Sequence, residues 1–134
     1  MKRTAHQLLK AVQIVKSDAH AVSTVVGTGF DKTGFGELMI TLEIGDKGGA
    51  GTVQVVMEES DVLASGYVAI AGGASAVKAA NGVFVGRIDL EKRKKFIRGS
   101  IVVAGNAVDA SVHGCMVSNK DEPVTQTNAP EFSV

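Results

Sequence analysis

Gly36-Glu37-Leu38-Met39-Ile40-Thr41-Leu42-Glu43-Ile44 is the stretch on which the fold class turns. Leu38, Ile40, Leu42 and Ile44 alternate with Met39, Thr41 and Glu43. Successive side chains of a strand point to opposite faces, so this is a strand with one apolar face turned to a core. Asp46-Lys47-Gly48-Gly49-Ala50-Gly51 follows with turn chemistry, and Thr52 to Glu59 resumes the alternation, with Val53, Val55 and Met57 opposed to Gln54 and Glu58. The two segments are expected to be antiparallel neighbours joined by a flexible loop.

The same pattern recurs outward from this pair. Val83 to Leu90 puts Phe84, Ile88 and Leu90 in register, and Phe96 to Val103 puts Ile97, Ile101 and Val103 opposite Arg98 and Ser100. Glu91-Lys92-Arg93-Lys94-Lys95 forms the turn between them. Gly105-Asn106 is a second tight turn before a long strand from Ala107 to Val117. Earlier segments, Ala19 to Val26 and Tyr67 to Ala71, read as shorter strands, the latter running into a Gly72-Gly73 loop. Short strands separated by turn signals, with no fixed-period repeat, give an all-β fold: a single-domain antiparallel sandwich or jelly roll over residues 19–118. Residues 1–18 are expected to be an arm or short helix leading into the first strand. There Ala5, Leu8, Leu9, Val12 and Val15 fit a helical face, while Val12 to Lys16 fits a strand equally well. Residues 119–134 hold both prolines and little periodicity, and are expected to be an extended C-terminal arm.

Composition removes several function classes. In 134 residues, fourteen Lys+Arg balance fourteen Asp+Glu, so no overall field draws the chain to nucleic acid or an anionic membrane. A single cysteine makes neither an internal disulfide nor a paired-thiol zinc framework. No apolar run approaches the roughly 18 residues needed to span a bilayer, and the basic Lys2-Arg3 start lacks the apolar stretch of an export signal. Hydrophobic residues reach 45% but aromatics only 4%, with no Trp. The positive mean hydropathy of +0.18 therefore rests on small residues such as Val and Ala, and points to apolar surface covered by another copy or another protein.

The sequence carries few chemical signatures. His113-Gly114-Cys115 places an imidazole and a thiol on one face of a strand, half of a metal site or of a Cys-His pair, but no third ligand is placed nearby. A packed cysteine beside a strand histidine is the reading adopted. Glu58-Glu59-Ser60-Asp61 concentrates carboxylates at a strand exit, where adjacent residues point to opposite faces and spoil a convergent pair. The glycine-rich stretches lack the Lys-Ser/Thr and the helix start of a phosphate cradle. Lys92-Arg93-Lys94-Lys95 is the strongest charge feature, able to grip phosphate or an acidic protein surface, yet almost no aromatics lie nearby for base stacking. No nucleophile signature is present. The expectation is a protein without catalytic residues, cofactor or metal.

Gly51-Thr52-Val53-Gln54-Val55-Val56-Met57-Glu58-Glu59-Ser60-Asp61, then Lys94-Lys95-Phe96-Ile97-Arg98-Gly99-Ser100-Ile101-Val102-Val103 with the Gly-Asn turn and a last Val-rich strand, resembles small virion proteins of tailed bacteriophages. The likeness covers roughly residues 20 to 118. It implies a head decoration, or cement, protein of jelly-roll-like fold, sitting as a homotrimer on the outer capsid at threefold or quasi-threefold positions, with the major capsid protein as partner and with no catalytic residues. The longer N-terminal segment and the tail after Ser118 depart from that pattern. A tail, neck or fibre component would share the same composition. A carbohydrate- or ligand-binding sandwich would display exposed Trp or Tyr for stacking, and the chain has no Trp and only Tyr67. The candidate interface residues are Lys2, Arg3, Leu8 and Leu9 in the N-terminal arm, Lys92, Arg93, Lys94 and Lys95 in the basic turn, and Phe132 in the C-terminal arm.

Overall fold

The computed structural model describes residues 8–118. They form nine strands: β1 (Leu9–His20), β2 (Ser23–Val26), β3 (Phe30–Asp31), β4 (Phe35–Lys47), β5 (Thr52–Ser60), β6 (Val68–Ala74), β7 (Gly82–Asp89), β8 (Phe96–Ala104) and β9 (Val108–Ser118). Two antiparallel sheets face each other, one ordered β1-β9-β4-β7 and the other β2-β8-β5-β6, with β3 continuing along the β2 side of β8.

The pairings β1·β9, β2·β8, β4·β7 and β5·β6 are those of one long hairpin folded about the β5–β6 connection. Rolling that hairpin up adds the pairings β9·β4 and β8·β5. This is the jelly roll, in which nearly every connection crosses from one sheet to the other. The expected hairpin of Gly36–Ile44 with Thr52–Glu59 is therefore corrected. β4 and β5 lie in opposite sheets, and their alternating faces meet across the core instead of along a ladder.

That core is built from the inward residues of each strand, Leu38, Ile40, Leu42 and Ile44 of β4 facing Val53, Val55 and Met57 of β5, with Ile97, Ile101, Val112 and Met116 among them. Aliphatic side chains fill most of a sandwich about 10 Å thick, with Phe35 buried among them. Gly99, inward on β8, lets Ile14 of β1 close onto the opposite sheet, since a Cβ there would stand 2.4 Å from Ile14 Cγ2.

At the N-terminal side the boundary moves. β1 starts at Leu9, so residues 9–18 belong to the sandwich and not to an arm; Leu9 pairs with Val117 and Val12 with Gly114. A shift of register between Gln13 and Val15 buries both Ile14 and Val15. The expected strand over Ala19–Val26 is instead the end of β1, a turn at Ala21-Val22 and β2. Gly72-Gly73, expected to be a loop, lies within β6. The arm expected over 119–134 lies outside the described residues.

Candidate interaction surface

One end of the sandwich gathers the β3–β4, β5–β6 and β7–β8 connections. The β5·β8 register places Ser60 opposite Phe96 and Glu58 opposite Arg98. It thereby brings the acidic exit of β5 against the basic turn before β8. Arg98 Nε donates to Glu58 Oε2 at 2.6 Å and its guanidinium stacks 4.1 Å from the Tyr67 ring centre. Arg93 pairs with Glu59 at 3.6 Å, the Lys94 amide donates to Glu59 Oε2 at 3.0 Å, and the Lys94 ammonium lies 3.6 Å from Asp61. Lys95 faces Asp31 at 3.9 Å. Three of the four basic residues of the turn thus meet carboxylates of their own chain, with Lys92 exposed. A basic patch able to grip phosphate is replaced by a charge-balanced rim, whose exposed ion pairs add little stability but fix which loop ends touch.

Asp31 is held by both the amide and the hydroxyl of Thr33. Burial alone would raise its carboxyl, but those hydrogen bonds and Lys95 outweigh it and leave the pKa below the ordinary 3.8. Ser60, fully buried, donates to the Ser65 carbonyl and accepts from the Val62 amide. It shapes the β5–β6 loop so that Val62 and Leu63 are exposed.

The outward face of the β1-β9-β4-β7 sheet has a different character. Cys115 sits directly across from Met39 on one side and Ala11 on the other, and His113 lies across from Thr41 and Gln13. Burial pushes the Cys115 thiol upward, the behaviour of a packed thiol and not of an activated nucleophile. Among the described residues no group of three or more His, Cys, Asp or Glu side chains is placed to hold a metal ion. Met39, Val83, Val85 and Val117 are exposed on this face, while Glu37 and Arg87 form a 2.8 Å ion pair between them.

Beyond β7 the face turns a corner into a cleft of about 520 Å³ between β7 and β6. Its floor is core, with Ile40, Leu42, Val55, Met57 and Ile88 lining it. The cleft exists because β6 loops out: Val56 pairs with Ala74 but Glu58 with Ala69, so residues 70–73 stand against Met57 alone. Gly72 supplies the left-handed turn, at φ 75°, that this excursion needs. No sequence signal pointed to this cleft beyond the Gly72-Gly73 pair.

Of the interface residues expected from sequence, Lys2, Arg3 and Phe132 lie outside the described residues. Leu8 and Leu9 are half-buried, Leu9 being tied into the β1·β9 ladder. The structure does not bring Leu9 to one surface patch with the cleft, because β1 and β7 are opposite edges of their sheet.

No known protein family and no curated protein sequence matches the chain. Solved structures do. The SPBc2 prophage-derived protein YomS superposes with a TM-score of 0.57 at 15% identity, over 82% of this chain and 93% of that one. The PBSX exported protein XepA gives 0.62 at 14% identity over 92% of this chain. The VP2 subviral particle of infectious bursal disease virus gives 0.53 at 12% identity over 86%. The chain spans 43% of XepA and 34% of the viral chain. At such identities the likeness is one of fold, and it agrees with the two-sheet topology read from the strand order.

Proposed function

We propose that this protein is a non-enzymatic structural component of a tailed-phage particle, a decoration protein that binds the major capsid protein on the outer capsid surface as a homotrimer. The observation that carries this reading is where the unsatisfied surface lies. The charged loops neutralise one another at one end of the jelly roll, while Met39, Val83, Val85 and Val117 put exposed apolar side chains on the outward sheet face around the Glu37–Arg87 pair. Such a surface packs against protein; it has no aromatic wall for a small ligand and no convergent acid, base or nucleophile. The shared fold with a prophage-derived protein and with the protein of a virus particle supports the particle context. Trimeric attachment would draw its strength from three linked contacts instead of one.

The test is cosedimentation of the purified full chain with bare heads of the phage that encodes it, alongside light scattering of the free protein. Saturable binding to heads, and a mass near three times the 13.8 kDa chain, is the expected result. A persistent monomer that stays in the supernatant overturns it. Binding to tails but not heads would favour the tail, neck or fibre reading. Because β1 begins at Leu9, an arm deletion must stop at residue 7 to leave the ladder whole. Removing residues 1–7, with Lys2 and Arg3, should weaken head binding without unfolding the domain.

A further inference from the structure

Among the described residues β7 is the outermost strand of its sheet, and nothing bonds to its outer side. Its ladder to β4 continues past Asp89 with the Leu90 amide donating to the Gly36 carbonyl at 2.9 Å. Antiparallel ladders alternate bonded and non-bonded pairs, so the amides of Phe84, Gly86 and Ile88 point to β4. Those of Val83, Val85 and Arg87 point away from the sheet, along the mouth of the β6–β7 cleft. Proline or a bulge commonly blunts such an edge. β7 has neither, and its Val83 and Val85 are 61% and 66% exposed.

We propose that β7 pairs with β7 of a second copy, antiparallel about a twofold axis with Val85 opposite Val85, joining their β1-β9-β4-β7 sheets into one. Three observations select this occupant and this register. The first is the backbone. A twofold through Val85 sets Val83 opposite Arg87 of the second copy, so each outward amide and carbonyl of Val83, Val85 and Arg87 meets its complement.

The second is shape. On the cleft side β7 carries Gly82, Phe84, Gly86 and Ile88 in turn. A Cβ at Gly86 would meet nothing within 4 Å. The register sets Phe84 opposite Gly86 of the second copy and Ile88 opposite Gly82, large against small at every inward pair. These are the non-bonded pairs, whose Cα atoms stand about 4.5 Å apart with side chains closest, and an aromatic there covers the glycine of the neighbouring strand. A shift of the axis by one residue would set Phe84 on Phe84 or Gly86 on Gly86 and lose the match.

The third is charge. On the outward face Glu43 lies opposite Val83, and among the described residues it has no ion-pair partner. The register brings Arg87 of the second copy to the other side of Val83, two strand spacings or roughly 9.5 Å from Glu43. Its stem can cover the valine while its guanidinium meets the carboxylate. No like charges stand opposite each other. This contact is separate from the threefold one of the decoration reading and does not rest on it: it joins copies, or trimers of them, in pairs.

Cysteine trapping tests both partner and register. With Cys115→Ala removing the single native thiol, Val85→Cys should form a covalent dimer under mild oxidation, since bonded pairs hold their Cα atoms about 5.5 Å apart, within disulfide reach. Val83→Cys, displaced by four residues or roughly 13 Å from the same residue of the second copy, should cross-link at least tenfold more slowly. Adding Gly86→Val to Val85→Cys should slow cross-linking at least tenfold as well. The new side chain has room in a single chain, at a glycine without positive φ, but fills the space that Phe84 of the second copy requires. In the unaltered chain the Val83, Val85 and Arg87 amides should gain hydrogen-exchange protection as protein concentration rises, while those of β8 stay constant. Equal cross-linking at positions 83 and 85, or an undiminished rate with Gly86→Val, overturns the proposal. Protection of the three amides that does not vary with concentration also overturns it and assigns their cover to the same chain, and fast exchange at every concentration overturns it outright. None of these readouts depends on whether the protein binds phage heads.

Discussion

Gly99 is a tight point between the two sheets that a single methyl group can probe. A Cβ at this position would lie 2.4 Å from Ile14 Cγ2 and 2.9 Å from Met57 Sδ. The methionine can swing away, since its thioether is unbranched and flexible. The isoleucine cannot, because its β-branched side chain is stiff at the first torsion and the bulge of β1 fixes its backbone. Overpacking of this kind costs about 1–3 kcal/mol. Gly99 is not among the glycines of positive φ, so alanine fits its backbone and returns about 0.4–1 kcal/mol through the unfolded chain. The expected net loss for Gly99→Ala is roughly 1–2 kcal/mol, a sizeable part of a stability of about 5–15 kcal/mol. Ile14→Ala alone should cost about 2–5 kcal/mol. Introduced into G99A it removes the clashing methyl, so the double variant should be more stable than the sum of the two losses by about 1–3 kcal/mol. Urea unfolding followed by circular dichroism, with unchanged slopes, reads this directly. Additivity within about 0.5 kcal/mol, or a neutral Gly99→Ala, would refute the packing argument.

Arg98 combines an ion pair to Glu58 with stacking on Tyr67; Arg98→Lys should lose about 1–2 kcal/mol in urea unfolding because an ammonium reproduces neither the planar contact nor the fork. Asp31 has a folded pKa below its ordinary 3.8, so its contribution is present above about pH 4 and lost as pH falls through the lowered folded value. Unfolding midpoints measured from pH 5 to pH 2.5 should accordingly fall less steeply in Asp31→Asn than in the unaltered chain. Cys115, its thiol pushed up by burial, should react with iodoacetamide at pH 8 at least about threefold more slowly in the folded protein than in urea.

What the sequence made legible was the inward face of each strand. Leu38 to Ile44, Val53 to Met57 and Ile97 to Val103 were assigned their buried residues by alternation alone, and the structure buries them. Alternation does not say which sheet a strand joins, because both sheets of a sandwich present the same inward pattern. Adjacent segments such as β4 and β5 then look like a hairpin when they are opposite walls of the core. At the N-terminal side a bulge imitated a helix. Burying Ile14 and Val15 in succession breaks the two-residue period and creates the three- and four-residue spacings of a helical face. The acidic exit and the basic turn were each visible as a charge feature, but their mutual neutralisation depends on a β5·β8 register set by residues forty positions apart, beyond any local window. The cleft was invisible for the same reason: it is the space left where β6 leaves β5.

The rolled hairpin also sets a timetable for the nascent chain. Among the described residues only β5 and β6 pair as immediate neighbours in sequence, so that hairpin is the first ladder able to form as the chain emerges. Leu9 waits for Val117 and β4 waits for β9, which leaves the β1-β9-β4-β7 wall of the core incomplete until translation reaches β9. Long-range pairing of this type folds slowly and leaves apolar strands open to other chains in the meantime. At high expression the yield of native protein should therefore be governed by the interval between ribosomal release and closure of the β1·β9 ladder, and lowering the growth temperature should raise soluble yield more than strengthening any single contact would.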